Sequence, residues 1–211
     1  TYTPAPGFSG TDTFSYIVSD GNGGSATATV SVDVININSA PVALDDVYSV
    51  DEDSAQTVLG VLANDSDVNG DVLSVSAVTQ PAAGTGTVVN NGNSVSFTPD
   101  ANYNGPATFS YTVSDGNGET ATANVTVNVN AINDNPVAVD DLSTTDNVTP
   151  VTINPLANDS DVDGDVLTIS AADVTGTSGS VISDGTSLTY TPAAGFIGTD
   201  TFTYTVSDGN G

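Results

Sequence analysis

Apolar and polar residues alternate with a period of two along most of the chain. Phe109, Tyr111 and Val113 alternate with Ser110 and Thr112, and Val125, Val127 and Val129 alternate with Thr126 and Asn128. Successive side chains on a strand point to opposite faces, so this pattern marks half-buried antiparallel strands. Asp115-Gly116 and Asn117-Gly118 lie between the two runs and predict a hairpin, and Asn91-Gly92 predicts another. Over the middle of the chain the pattern predicts strands near 47–50, 56–62, 72–78, 86–90, 94–98, 107–114 and 120–130. No segment has a convincing helical period. Several short strands with turn signals between them predict an all-β fold, an antiparallel β-sandwich with Phe, Tyr and Val of these runs in its core.

The pattern also repeats. Thr13-Phe14-Ser15-Tyr16-Ile17-Val18-Ser19-Asp20-Gly21-Asn22-Gly23 returns from Thr108 to Gly118 and again from Thr201 to Gly211. Pro41-Val42-Ala43-Leu44-Asp45-Asp46 returns as Pro136-Val137-Ala138-Val139-Asp140-Asp141. A repeat of this length can hold its own core, so the expected architecture is a linear array of tandem sandwich domains and not a thin solenoid. The expected division is a partial repeat holding only its last strands at 1–36, a complete repeat at 37–132, and a repeat without its last strand at 133–211. The chain starts at Thr1 without Met and reads as a window from something longer, with ragged edges completed by the same chain or by neighbours.

Charge changes the picture. The 211 residues carry a formal charge of −26, with no Lys, Arg or His. Only Glu52 and Glu119 are Glu; every other acid is Asp, the residue of turns and metal loops. A chain this acidic repels itself and its side chains can form no salt bridge, which makes divalent cations from solvent its natural partner. A solvated acidic surface in a high-salt habitat is the other reading. Without His, Cys or Lys there is no Ser-His-Asp or Cys-His nucleophile, no Schiff base, no usual zinc site and no Lys–Asn isopeptide cross-link. The carboxylates recur in repeated turns and not in one pocket, which argues against a paired-carboxylate hydrolase and against any enzyme. Nothing can neutralise phosphate, so nucleic acid is not an expected partner. No apolar run reaches the roughly 18 residues of a membrane span.

The carboxylates concentrate in one loop. Asn158-Asp159-Ser160-Asp161-Val162-Asp163-Gly164-Asp165 also occurs as Asn64-Asp65-Ser66-Asp67-Val68-Asn69-Gly70-Asp71. Calcium takes about 6–8 oxygen ligands, and alternating Asp/Asn before a tight Gly turn supplies them. The pattern matches the first half of an EF-hand loop, but the place of its bidentate Glu is held by Ser76 and Ser170. Either further ligands come from elsewhere in the fold, or the loops are polar turns.

These segments resemble a family. Ala131-Ile132-Asn133-Asp134-Asn135-Pro136 is similar to the Asn-Asp-Asn-x-Pro linker of cadherin repeats, and Ala63-Asn64-Asp65-Ser66-Asp67 and its second copy to the cadherin Asp-x-Asp segment. The spacing, the Asp-Asp start and the Ser-Asp-Gly-x-Gly hairpin together resemble the bacterial cadherin-like "tandem-95" repeats of very large secreted adhesins. The resemblance implies an extracellular, cell-surface array with Ca2+ at its junctions. Such an array serves as an extender or stalk in adhesion or a biofilm matrix, with neighbouring repeats as its partners. The alternatives are a filament subunit completed by strand addition from other copies, and a ligand-binding adhesin module.

In an up-and-down sandwich successive turns alternate between the two poles. The second junction is then expected to gather Asp51, Glu52, Asp53 and Asp100 with Asn133, Asp134 and Asn135 of the linker. Asp140, Asp141, Asp159, Asp161, Asp163, Asp165 and Asp208 of the next repeat would join them. The first junction is expected to use Asn38, Asp45, Asp46, Asp65, Asp67, Asn69, Asp71 and Asp115, without a linker carboxylate, because Asn133-Asp134-Asn135 aligns with Asn38-Ser39-Ala40. Carboxylates so crowded are unstable without cations. Bound calcium would clamp the junction into a semi-rigid rod, more tightly at the second site than at the first.

Overall fold

The computed structural model describes residues 1–210; Gly211, the end of the third Ser-Asp-Gly-Asn-Gly motif, lies outside the described residues. The chain divides into two compact units, Thr1–Asn130 and Ala131 onward.

The first unit opens with a hairpin of β1 (Gly10–Ser19) and β2 (Ser25–Val34), paired from Gly10↔Val34 to Ser19↔Ser25. The sandwich follows as β3 (Asp46–Asp51), β4 (Thr57–Leu59), β5 (Ser74–Val78), β6 (Gly86–Asn90), β7 (Val95–Pro99), β8 (Gly105–Ser114) and β9 (Thr120–Asn130). All seven strands fall where the alternation places them. One sheet has the order β3-β9-β8-β5 and the other β4-β7-β6. One ladder departs from the antiparallel expectation: β3 runs parallel to β9, with Asp46 opposite Val125. Strands that alternate up and down give the first and the seventh the same direction, so their pairing is necessarily parallel.

Between the sheets Leu59, Val61, Val95 and Phe97 meet Tyr111, Val113, Val125 and Val127, all fully buried. Each such side chain contributes about 1.5–3 kcal/mol relative to exposure. The counterparts of Phe109, Tyr111 and Val113 in the hairpin are Phe14, Tyr16 and Val18. These are 47, 48 and 54 % exposed, because nothing in the unit covers that face.

The second unit repeats the plan with β10 (Val151–Ile153), a single 3₁₀ turn at Pro155–Ala157, β11 (Thr168–Asp173), β12 (Ser180–Ser183), β13 (Leu188–Thr191) and β14 (Thr203–Ser207). Its sheets are β10-β13-β12 and β11-β14. Residues 139–146 form no strand. Their counterpart β3 pairs only with β9, and the second unit has no described strand in the place of β9.

Both units carry the same bulge, between Val75 and Ala77 and between Ile169 and Ala171. The bulged residues are Ser76 and Ser170, whose hydroxyls donate to Thr112 O at 3.1 Å and Thr205 O at 3.2 Å. The position where an EF-hand loop carries Glu is therefore part of a sheet here, and the rest of any cation site must come from another segment.

Tyr111 ties the core to the pole that holds the loops. Its single phenolic hydrogen faces Val61 O at 2.8 Å, Leu44 O at 3.1 Å and Asp65 Oδ2 at 3.0 Å. Replacing it by Phe leaves those buried acceptors without their donor. Tyr111→Phe is expected to lower the stability of the first unit by about 1–3 kcal/mol, read as a shift in urea midpoint, with the second unit's transition unmoved.

Candidate metal centre

The loop 64–71 is shaped by its own side chains. Asp67 Oδ1 accepts from the backbone N–H of Asn69 at 2.7 Å, a turn closed by Gly70 in the left-handed region at φ 77°. Val42 and Ser66 bridge the loop to the entry strand, and Asn64 Nδ2 donates to Asp45 O at 3.2 Å. The hairpin between β8 and β9 folds over the same pole. Asp115, only 3 % exposed, accepts from the N–H groups of Asn117, Gly118 and Glu119 at 2.8, 3.1 and 3.1 Å. Burial pushes the Asp115 carboxyl up, but the Asn38 amide and these three N–H groups outweigh it, and it titrates below the usual carboxylate range.

Asp67, Asp71 and Asp115 each present a carboxylate oxygen, and these oxygens all lie within 4.8 Å of one another. One cation at roughly 2.3–2.6 Å from each would fit among them. The Oδ2 atoms of Asp67 and Asp71 are buried and have no hydrogen-bond donor. A buried ionised oxygen without donor or cation is unfavourable, so this donor set, all hard oxygen, suits calcium. The entry segment closes over it. Asn38 Nδ2 donates to Asp115 Oδ2 at 2.6 Å, Ser39 N–H to Asn69 Oδ1 at 2.9 Å, and Asn69 Nδ2 to Asn36 Oδ1 and Ile37 O at 2.9 and 3.1 Å.

The second unit builds the same pole. Asp163 N–H donates to Asp161 Oδ1 at 2.9 Å, and Asp134 N–H to Asp163 Oδ2 at 2.8 Å. Asn133 Nδ2 donates to Asp208 Oδ2 at 2.6 Å, and Asn210 Nδ2 to Asp165 Oδ2 at 2.7 Å. The converging oxygens here are those of Asp161, Asp163 and Asp165, and Asp161 Oδ2 is buried without a donor. The third carboxylate thus comes from the hairpin in one unit and from the loop, at the place of Asn69, in the other.

The remaining candidates have other surroundings. Asp65 Oδ1 accepts from Leu44 N–H at 2.8 Å as well as facing Tyr111, and Asp159 Oδ1 accepts from Val139 N–H at 2.8 Å. Tyr204 donates to Asp141 Oδ2 at 2.9 Å and faces Asp159. Burial and then these carboxylates hold the Tyr111 and Tyr204 hydroxyls well above the usual phenol range. Asp46 is pushed up, first by burial, although the Tyr111 hydroxyl draws it down. Asp45 Oδ1 accepts from Asn124 N–H at 2.7 Å; Asp140 offers its backbone carbonyl to Asn158, and Asn135 is exposed.

Asp51, Glu52, Asp53 and Asp100 belong to the first unit, at the end away from its cluster. Asp51 Oδ1 accepts from Asn130 Nδ2 at 3.0 Å, and Glu52 is buried beside the end of β9. Asp53 Oδ1 accepts from Asn102 N–H at 3.0 Å, with both residues in the left-handed region at φ 55°. Asp100 is half-buried, its carbonyl capping the turn to Tyr103. None of these four belongs to the first unit's own converging group of Asp67, Asp71 and Asp115.

A model of the bacterial Ig domain matches residues 1–33, 38–128 and 133–211. The chain belongs to the bacterial Ig domain family. No curated protein matches it. Among solved structures, an endo-fucoidan hydrolase of glycoside hydrolase family 107 is 21 % identical over 99 % of this chain and 33 % of its own, at a TM-score of 0.37. The chain therefore spans about a third of that enzyme. Human mucin-like protocadherin EC1-2 is 18 % identical over 62 % of this chain and 73 % of its own (TM-score 0.45). The protocadherin gammaB4 extracellular domain is 18 % identical over 87 % of this chain and 31 % of its own (TM-score 0.45). This bacterial Ig chain thus has cadherin ectodomains among its structural neighbours, and no described helix is long and apolar enough to cross a membrane.

Three carboxylates of the second unit away from its cluster are held by donors alone. Asp200 accepts first from Ser178 N–H, then from Gly179 N–H and the Tyr190 hydroxyl, and lies below its usual range despite burial. Asp184, with Thr186 N–H first, and Asp146, with Val148 N–H first, are depressed in the same way. A carboxyl with a lowered folded value stabilises above its unfolded value and loses that contribution as pH falls through the folded one. In calcium-free buffer the second unit is therefore expected to hold its stability above about pH 4 and lose it progressively in more acid solution, read by circular dichroism melting.

Proposed function

We propose that this bacterial Ig chain is a calcium-stabilised extender segment of an extracellular or cell-surface repeat protein, acting in adhesion without turnover. The observation that carries this reading is the pair of carboxylate clusters with buried oxygens that lack donors, one at the entry pole of each unit. Calcium would neutralise Asp67, Asp71 and Asp115 in one unit and Asp161, Asp163 and Asp165 in the other. It would also draw in Asn38 and Asn133–Asp134, which already bond to the loops and hairpins. Without the ion, like charges a few ångströms apart loosen the entry segment; with it, that segment is fixed to its sandwich. The resemblance to cadherin-like adhesin repeats supports the extracellular setting.

Calcium titration of the whole chain tests this. At about a hundredfold over Kd, linkage adds about 2.7 kcal/mol per site, which raises the melting temperature by roughly 10 °C or more. Hydrogen exchange at 36–39 and 133–135 is expected to slow in parallel. Magnesium, which keeps its waters and demands octahedral geometry, is expected to do much less. Unchanged melting and exchange would leave the loops as plain polar turns.

The two sites should differ. Asp163 adds a carboxylate where the first unit has Asn69, so calorimetry is expected to resolve a tighter and a weaker class. Asp163→Asn is expected to weaken the tighter class by about tenfold, since ligand charge sets affinity in such loops. Equal affinities in the unaltered chain would count against the assignment.

A further inference from the structure

Two corresponding sheet edges are finished differently in the two units. β6 is an edge strand of the seven-stranded sandwich, and β12 holds the same place in the second unit, so this edge belongs to the plan of the fold. In the first unit a side chain closes it. Gln80 Nε2 donates to Val88 O at 2.8 Å, and Val88 N–H donates to Gln80 Oε1 at 2.9 Å. The amide thus makes the two bonds that a further strand would make. Val181 has the register of Val88: it stands opposite Tyr190 as Val88 stands opposite Phe97. Its N–H and C=O therefore point away from β13. Val78 faces Tyr111 and Ala172 faces Tyr204, so Gln80, two residues on, corresponds to Val174. A valine side chain can neither donate nor accept. Among the described residues, nothing bonds to the outer side of Val181.

The residues around the edge change with it. Thr79 and Asn91 of the first unit correspond to Asp173 and Asp184 of the second. Each Asp is tied into a turn. Asp173 accepts from Thr175 N–H at 2.9 Å, and Asp184 from Thr186 and Ser187 N–H at 2.8 and 2.6 Å. Both remain exposed. Val174 and Ile182 are 42 and 69 % exposed. The closed edge therefore has neutral neighbours, whereas the open edge has two fixed carboxylates and two apolar side chains. A second copy would bring the same carboxylates and a charge of −26 to this edge, and is repelled. A basic strand is drawn in by the same charges.

We propose that the β12 edge is a docking site for an extended basic segment of another protein, which adds to it as a further strand. Val181 supplies one donor and one acceptor to the incoming backbone. Lys or Arg side chains of the segment pair with Asp173 and Asp184, and its β-branched side chains lie beside Val174 and Ile182. Gln80 bars the same strand from the first unit. Neither carboxylate cluster takes part, so calcium is not required.

The test is fluorescence anisotropy of a short labelled peptide of alternating Lys and Val, titrated with the whole chain in EDTA at roughly 0.15 M salt. A second peptide is N-methylated at every backbone nitrogen, which keeps its charge and side chains but removes its donors. The plain peptide is expected to bind about tenfold more tightly than the methylated one. Val174→Gln, which copies Gln80, is expected to bring the plain peptide down to the level of the methylated one. Asp173→Asn with Asp184→Asn is expected to weaken the plain peptide several-fold. Equal binding of the two peptides would reduce the effect to charge and overturn the proposal. So would binding unmoved by Val174→Gln, or no binding at all. Light scattering on the chain alone checks the occupant. A monomer mass is expected; association abolished by Val174→Gln would give the edge to another copy and overturn the basic segment.

Discussion

A chain with 26 carboxyl groups and no basic side chain has to satisfy every buried carboxylate oxygen with a neutral donor or an external cation. That constraint sorts the aspartates. One set is held by backbone N–H groups in turns: Asp20, Asp115, Asp146 and Asp184 each close a loop by accepting from residues just ahead. A second set is held by tyrosine hydroxyls, with Asp65 under Tyr111, Asp159 and Asp141 under Tyr204, and Asp200 under Tyr190. The oxygens left over are concentrated at one pole of each unit, at Asp46, Asp67, Asp71 and Asp161. Three of these four residues belong to the converging groups. Among the described residues, the buried carboxylate oxygens without donors thus belong mostly to residues placed to share an ion.

The sandwich makes this sorting possible. Tyr111 stands on β8 with its ring in the core and its hydroxyl at the pole, so hydrophobic burial aims a polar tip at the loops. The loop then needs few contacts of its own. Asp65 is pinned by Leu44 N–H and Tyr111, Ser66 is bridged to Val42, and Asp67 and Asp71 converge with Asp115. The second unit reaches the same arrangement through Tyr204, Asp159, Ser160 and Asp161, although it has fewer described strands. The pole is therefore set by a few residues near the loop and not by the complete sandwich.

How much of this is legible in the sequence follows from the range of each interaction. The strands and hairpins are legible because side-chain alternation and Asp-Gly turns are local signals. The parallel β3–β9 ladder is only implicit, in the odd number of strands. The alternating loop acids can be read as a candidate site, and Asp67, Asp71, Asp161, Asp163 and Asp165 do converge. The separation of Asp65 and Asp159 from them cannot be read, because it depends on a tyrosine more than 40 residues away. Nor does spacing show that Ser76 and Ser170 lie in a bulge bonded to the neighbouring strand. The Tyr190–Asp200 pair does leave a signal: where Tyr becomes Phe97, Asp becomes Ala107. Comparing the repeats at paired positions would have found it.

That paired change bears on a hazard of tandem arrays. Neighbouring repeats with near-identical strands can exchange them during folding, and a swapped strand is hard to reject when the core residues are the same. Phe, Tyr and Val of the β8-type strands are indeed the same in all three copies. Asp12, Ala107 and Asp200 are not. A strand bearing Asp placed over Phe97 buries a carboxylate without a donor, and one bearing Ala placed over Tyr190 leaves the hydroxyl and two N–H groups without their acceptor. Exchange between adjacent repeats is thus penalised in both directions, while repeats one step further apart remain compatible. In a chain with no cations to discriminate by charge, specificity rests on a Tyr–Asp hydrogen bond present in alternate copies.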